Sequence, residues 1–438
     1  MTGYGTIAAA VAAGDAALVR RLSAGLLKPL KNNFVERPWG GMRLRTFKRL
    51  YPLPDQHSLT GLGLGECFEV SACEEDDEAR EHPSRLRFDD GSEIALPALL
   101  ERHAPSLFGA DFAARYGSSF PLLPKILDIK ELLSVQGHPS GNTEVYVVID
   151  ADPGATLRLG FNRDLDPDAF AAELAEGRAC QQALLDGLGP RADGHRLQAR
   201  LRPWLADREA GAAAAMEALE EFRPFAGGDG VIESLLERLK SLYWRVLDVM
   251  NEIPIAAGDV IYNANPPRVA PAPSASAEVH ALGDPAGRES LVLEIRRPGP
   301  TFRAWDNVRF PMRPVDVRAA VASLNVERTS PEEFRVEPEP VPGRPGAFAS
   351  VRAPLFALEH LRPAAGRPLL VPAEGPHCLH AIAGRVVLHS EDGRRLGTLD
   401  RGESAVVPIG VGAYYVDADD EADAEVVRVS LRDERTRR

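Results

Sequence analysis

Gln136 and His138 stand two residues apart in LLSVQGHP, and Glu144 follows at the start of the next apolar run, TEVYVVIDA. This spacing constrains the fold, because residues i and i+2 project to the same face only on a β-strand. An amide oxygen, an imidazole and a carboxylate converging in an all-β setting offer three ligands to a divalent metal. A second imidazole, His280 in SAEVHALG, can supply a fourth. A lone His138 could equally be a core histidine bonded to a carbonyl. Gln136 beside it and Glu144 after it favour the ligand reading.

The rest of the chain fits a mainly β protein with a helical interruption. ECFEVSA, RLRTF and RLRF are strand-like pieces bounded by Gly, Pro and Asp. TEVYVVIDA and ATLRLGF flank DPG, a hairpin turn signal. ALPALLERH is helical. Residues 166–250 change character: DPDAFAAELAEGRACQQALL opens with an acidic, Pro-containing helix start and continues with apolar residues at helical spacing. AAAAMEALEEF and VIESLLERLKSLYWRVLDVM read the same way, as a packed helical subdomain. IPIAAGDVIYNA returns to strand, turn and strand, and VAPAPSASA, before His280, reads as an irregular loop. The last block, from HAIAGRVVLHS to AEVVRVSL, has evenly spaced short strands and suggests a jelly roll or barrel half. AAGDVIYNA and DRGESAVVPI share a phrase, which hints at two barrels of one type.

Composition narrows the function. The chain has 438 residues and a formal charge of −13. That length suits two or three domains, and that balance argues against a general nucleic-acid surface. A small phosphorylated ligand remains possible, since one or two cations can hold it. Cys67, Cys73, Cys180 and Cys378 show no CxxC spacing, which fits a reduced, cytoplasmic setting. TIAAAVAAGDAALVRRL places its positive charge after the apolar stretch, so it reads as a helix rather than a signal peptide. No apolar run of about 18 residues is present, and no membrane span is expected.

Several phrases together resemble the type I mannose-6-phosphate isomerases of the cupin superfamily. They begin at Trp39–Gly40–Gly41 and pass through GECFEVS (Gly65, Glu66, Ser71). FPLLPKILDIKELLSVQGHP, from Phe120 to Pro139, is similar to the family's FPxLxKxLDxxxxLSxQxHP. GNTEVYVVIDADPGA, VHALG and LEIRRPGPTFRAWDNVR match further phrases, and the similarity runs in order over roughly residues 31–438. The resemblance implies two cupin (jelly-roll) barrels plus an α-helical subdomain. It divides the chain into a helical lead (1–30), a catalytic cupin domain in two parts (31–165 and 251–312), the helical insertion (166–250) and a C-terminal cupin-like domain (313–438).

The resemblance also implies roles. Gln136, His138, Glu144 and His280 become ligands to one Zn2+ per chain. Lys125, Glu294, Arg303 and Arg309 become the residues lining a pocket for a sugar or sugar phosphate. The implied activity is metal-dependent aldose–ketose isomerisation, mannose 6-phosphate to fructose 6-phosphate through an enediol. Alternatives are isomerisation of another sugar, or a metal-binding cupin that binds carbohydrate without turnover. The chain departs from the family at Asn142, where a lysine is usual, and its loop before Glu144 is short.

Other residues carry plainer readings. A lysine in an apolar run, as Lys125 is, costs free energy unless it is paired, which favours a role. Arg303 and Arg309 could instead pair with Asp306. Glu66 and Ser71 are expected to support the fold. Asp76, Asp77 and their neighbours in CEEDDEAREH are expected to form a solvated loop. His377, His380 and His389 lack a matching Gln and Glu and are expected to be structural. GLGLGE is not a nucleotide-binding GxGxxG, because its glycines alternate.

Overall fold

The computed structural model describes residues 5–49, 63–139, 141–189, 193–225, 228–264, 277–419 and 423–432. Most of VAPAPSASA lies outside these residues. Among them the protein is mainly β with helices, and its sheets stack in layers. A seven-stranded sheet has the order Phe34–Arg37, Gly63–Phe68, Leu123–Ile129, Ser290–Arg296, Glu144–Ala151, Val260–Asn263 and Arg335–Val336. Against it lies a five-stranded sheet, in the order Phe302–Trp305, Val135–Gly137, His280–Ala281, Thr156–Phe161 and Met250–Pro254. A six-stranded and a four-stranded sheet form the C-terminal part. None of these sheets closes on itself.

The alternation of side chains explains the layering. In Ser290–Arg296, Leu291, Leu293 and Ile295 face away from the five-stranded sheet, into a core shared with Phe356, Leu358, Val427 and Val429 of the six-stranded sheet. Val292 faces inward, with Leu127, Tyr146, Val148, Leu157 and Leu159 between the two N-terminal sheets. Glu294 and Arg296 share that inward face, at the end where the apolar filling stops.

The helical insertion forms as expected, with helices Pro167–Leu188, Gly194–Ala206, Ala212–Ala218 and Asp229–Asp248. Asp166 caps the first through a bond from the Ala169 amide, and Pro167 occupies the first turn. The helices cover the outer face of the five-stranded sheet, with Leu174, Leu184, Leu201 and Leu236 packed against Val135, Ala281 and Trp305.

Three local expectations change. RLRTF is not a strand but the short helix Arg43–Phe47, whose Leu44 amide donates to the Asp128 carboxylate at 2.7 Å. TEVYVVIDA and ATLRLGF do form strands around a turn, closed by Ala155 N–H donating to Asp152 O. They do not pair with each other, however, because the turn carries the chain from one sheet to the other. Both strands are buried on both faces over most of their length, so each takes apolar neighbours in its own layer. CEEDDEAREH is not a solvated loop: residues Asp77–Glu81 are helical and Asp76 is buried.

The C-terminal part is joined to the rest through a buried polar chain. Lys48, fully buried, pairs with Glu69 and donates to Gly402 O at 2.8 Å. Ser404 donates to the other Glu69 oxygen at 2.5 Å, and His380 Nδ1 meets the Ser404 hydroxyl at 2.8 Å. His377 bonds the Tyr414 hydroxyl at 2.7 Å, so both histidines hold structure, as expected.

Candidate metal centre and its cavity

Register builds the site. In the five-stranded sheet, His280 and Arg303 both lie opposite Gln136, one on either side. In the seven-stranded sheet, Glu294 lies opposite Lys125 on one side and Tyr146 on the other, and Arg296 lies opposite Glu144. The two rows face each other between the sheets.

His138, Glu144 and His280 converge with their ligating atoms within 4.8 Å of one another, all buried. His138 Nε2 is 2.7 Å from Glu144 Oε1, and His280 Nε2 is 3.5 Å from Glu144 Oε2. The imidazoles stack with centroids 5.2 Å apart. Each ring is held by its other nitrogen: His138 Nδ1 bonds Pro300 O at 3.2 Å, and His280 Nδ1 bonds Glu278 O at 2.9 Å. Donation to those carbonyls leaves both Nε2 lone pairs facing the carboxylate, the tautomer a metal ligand needs. Apart from that 2.7 Å contact with each other, His138 Nε2 and Glu144 Oε1 have no hydrogen-bond partner. Gln136 joins them, with its amide 3.0 Å from His280 Nε2 and its oxygen accepting from Ser134 at 2.7 Å. Amide ends are assigned from the bonding network; the flipped amide turns its oxygen to the cluster and its NH2 to Ser134. Orphaned, lone-pair-bearing N and O groups in a buried pocket fit a divalent cation.

The electrostatics agree. Burial would raise the Glu144 pKa, but the His138 and His280 rings beside it hold it well below the usual carboxylate range. Burial pushes the His280 pKa down, against the pull of the Glu144 carboxylate. Tyr146 donates to Glu144 and accepts from Asn263 at 3.3 Å, which fixes the carboxylate from behind.

The cluster opens into a compact cavity whose lining includes Lys125, Glu294 and Arg303 with Gln136, His138 and Glu144. Lys125 Nζ lies 3.9 Å from Glu66 Oε2, 4.0 Å from Glu294 Oε2 and 4.8 Å over the Phe68 ring centre. Burial, then the nearby Glu144, lifts the Glu294 pKa to about 8 against the opposing Lys125 and Arg296.

Arg309 is placed differently. It is buried among residues under the helical insertion and donates to Leu132 O at 2.6 Å, and it does not line this cavity. Neither Arg303 nor Arg309 forms the ion pair with Asp306. That carboxylate accepts from Arg313 Nε at 2.8 Å, while Arg303 reaches Glu78 at 3.5 Å.

Sequence reasoning missed five charged lining residues. Glu66, expected to support the fold, pairs with Arg37 at 2.9 Å inside the cavity; Ser71 has the expected role, donating to Ala79 O. Glu78, Arg296 and Arg313 complete the set. Arg296 was within reach, because it stands two residues from Glu294 on one strand and therefore shares its face. Asn142 lies elsewhere. Its side chain donates to Arg297 O at 3.0 Å and borders a neighbouring cavity of about 620 Å³ with Tyr116 and Arg297.

Fold and site together define a mainly β protein with a buried His and Glu cluster, joined by the half-buried Gln136, suited to a divalent metal. Residues 82–156 match phosphomannose isomerase type I, catalytic domain. A mannose-6-phosphate isomerase of Bacillus subtilis is 33% identical over 141 residues, covering 30% of this chain and 39% of the relative. One from Streptococcus mutans is 32% identical over 145 residues, with the same coverage. The chain thus matches less than half the length of these curated relatives. The structure of a phosphomannose isomerase mutant from Salmonella typhimurium superposes with a TM-score of 0.58 at 16% identity, covering 93% of this chain and all of that one.

Proposed function

We propose that the protein is a metal-dependent aldose–ketose isomerase interconverting mannose 6-phosphate and fructose 6-phosphate through an enediol. The observation that carries this reading is the buried Glu294–Lys125 pair opening onto the same cavity as the His138–Glu144–His280 cluster. Gln136, His138, Glu144 and His280 would hold Zn2+, whose imidazole and carboxylate preferences they match. A divalent ion there supplies Lewis acidity to the sugar oxygens.

The chain's own groups do the rest. Isomerisation takes a proton from C2 of the aldose and returns one to C1. Glu294, with its pKa near 8, exchanges protons readily around neutral pH, as a general acid–base must. Lys125 beside it stabilises negative charge developing on the enediol oxygens. Arg303 and Arg313, partly exposed, offer cations to the phosphate. Arg309, under the floor of the site, serves to position the chain around Leu132 rather than to touch the sugar.

The reading carries its architecture with it: two cupin jelly rolls, the catalytic one at 31–165 and 251–312, the other at 313–438, with the insertion at 166–250 and the lead at 1–30. Among the described residues no helix is long and apolar enough to cross a membrane. A cytoplasmic location is part of the proposal. The position of Asn142, bonded to Arg297 O and bordering the neighbouring cavity, favours a second reading in which the isomerised sugar differs.

The test is an isomerase assay on metal-stripped and metal-restored protein, with mannose 6-phosphate beside free mannose and other phosphosugars. Metal-restored conversion of mannose 6-phosphate supports the first reading. Turnover of another sugar alone supports the second. Bound metal without turnover of any would favour the alternative of a metal-binding cupin that binds carbohydrate without turnover.

A further inference from the structure

We propose that Asp76 and Arg296 are positioning residues, whose buried ion pair fixes the turn Arg297–Pro300 and thereby the His138 ring as a metal ligand. This inference rests on the reading of His138 as a ligand.

The pair is inside the protein, with Asp76 4% and Arg296 3% exposed. Arg296 Nη2 lies 2.7 Å from Asp76 Oδ2. The same guanidinium donates through Nη1 to Arg297 O at 3.1 Å and Gly299 O at 3.2 Å. The Gly299 amide points back at Asp76 Oδ2, 3.5 Å away. The other Asp76 oxygen accepts from the Ala79 amide at 3.0 Å, so the carboxylate is itself fixed. Asn142 adds a bond to Arg297 O.

These bonds matter because the turn has few of its own. Pro298 and Pro300 carry no N–H, so the segment cannot be held by a normal set of backbone donors. Its carbonyls must accept from outside, and the Arg296 fork supplies two such bonds. The next carbonyl along, Pro300 O, is the group that His138 Nδ1 bonds at 3.2 Å. A ligating histidine depends on the partner of its non-ligating nitrogen for ring orientation and tautomer, and loss of such a partner typically costs about 10–100-fold in metal affinity. The chain of contacts therefore runs from Asp76 to Arg296, to the turn, to Pro300 O, to His138. Arg296 Nε also lies 3.8 Å from Glu294 Oε2, which ties the same guanidinium to the cavity's carboxyl group.

The test measures Zn2+ affinity by chelator competition on the full chain, with kcat and KM read separately. Asp76→Asn and Arg296→Gln should each weaken Zn2+ by about 10–100-fold. Activity at saturating Zn2+ should fall in kcat more than it rises in KM, and Asp76→Glu should recover part of the affinity. Breaking one half of a buried pair can also unfold the protein. The double variant Asp76→Leu/Arg296→Met removes both charges at similar volume and keeps the test sound. If the pair positions the turn, this variant folds and still binds Zn2+ weakly. A folded double variant with wild-type Zn2+ affinity would overturn the proposal. A His138→Ala protein that binds Zn2+ like wild type would overturn the ligand reading instead, and the inference with it.

Discussion

Glu294 and Lys125 lie directly opposite each other on antiparallel neighbouring strands, with Oε2 and Nζ 4.0 Å apart and both side chains buried. The separation is too long for a hydrogen bond, so the two groups share a field without locking each other. That leaves Glu294 free to exchange a proton and Lys125 free to turn toward a ligand.

Glu294→Gln keeps the shape of the side chain and removes its acid–base function. We expect kcat to fall by about 10²–10⁴ while bound metal stays at the wild-type level. Steady-state kinetics with metal analysis checks this. An unchanged kcat would remove Glu294 from proton transfer.

His138→Ala removes one proposed ligand and one stacked ring. Bound metal and turnover should be lost together, as measured by elemental analysis of the purified variant. Wild-type metal content would contradict the assignment of His138.

Arg303 and Arg313 are the most exposed of the cavity arginines, with 32% and 41% of their side chains accessible. Arg303→Ala should raise KM for a phosphorylated substrate on the order of tenfold and change kcat little, the loss of one charge-assisted contact. Equal effects on a phosphorylated and a free sugar would show that Arg303 does not bind phosphate.

Asp128 gives a pH-dependent stability. Burial, with a contribution from Glu289, raises its pKa to about 7 despite the Leu44 amide bond. An unfolded aspartate titrates near 3.9. Between about pH 4 and 7 the unfolded chain has lost this proton and the folded chain keeps it, so stability falls as pH rises through that window. Asp128→Asn removes the dependence. Denaturant unfolding should show the variant gaining on wild type from pH 5 to pH 8. An equal difference at both values would mean Asp128 titrates normally.

Gly160, at φ +60°, sits where an added Cβ would lie 2.1 Å from Thr329 Oγ1 and 2.8 Å from the Phe334 ring. Gly160→Ala should cost about 1–3 kcal/mol from backbone strain and overpacking. Thermal unfolding reads this as a lower Tm, and a Tm equal to wild type would refute it.

Much of this was legible in the sequence, for a physical reason. The Gln136, His138 and Glu144 spacing encodes a strand face, and period-two patterning also puts Glu294 on the inward side. The helical insertion declared itself through Asp166, Pro167 and the apolar spacing that follows. What stayed hidden was tertiary. RLRTF has no helical signal of its own beyond its five residues, and its helix is fixed by the Leu44 bond to Asp128, far along the chain. The DPG turn is a turn in either case, and only the choice of neighbours decides whether its strands pair. Asp76 reads as one more charge in an acidic run until Arg296, 220 residues later, is folded against it. Arg309 matches a family position, but burial beneath the insertion takes it out of the cavity.

The Lys48–Glu69–Gly402–Ser404–His380 chain spans the boundary between the N-terminal layers and the C-terminal sheets. Lys48 and Glu69 come from one side, and Gly402, Ser404 and His380 from the other. If the C-terminal sheets melted alone, an ion pair now out of water would lose its companions while Phe356, Leu358, Val427 and Val429 left the shared core. Neither half therefore has a separate route to unfolding, and denaturation of the whole chain should appear as one transition rather than two.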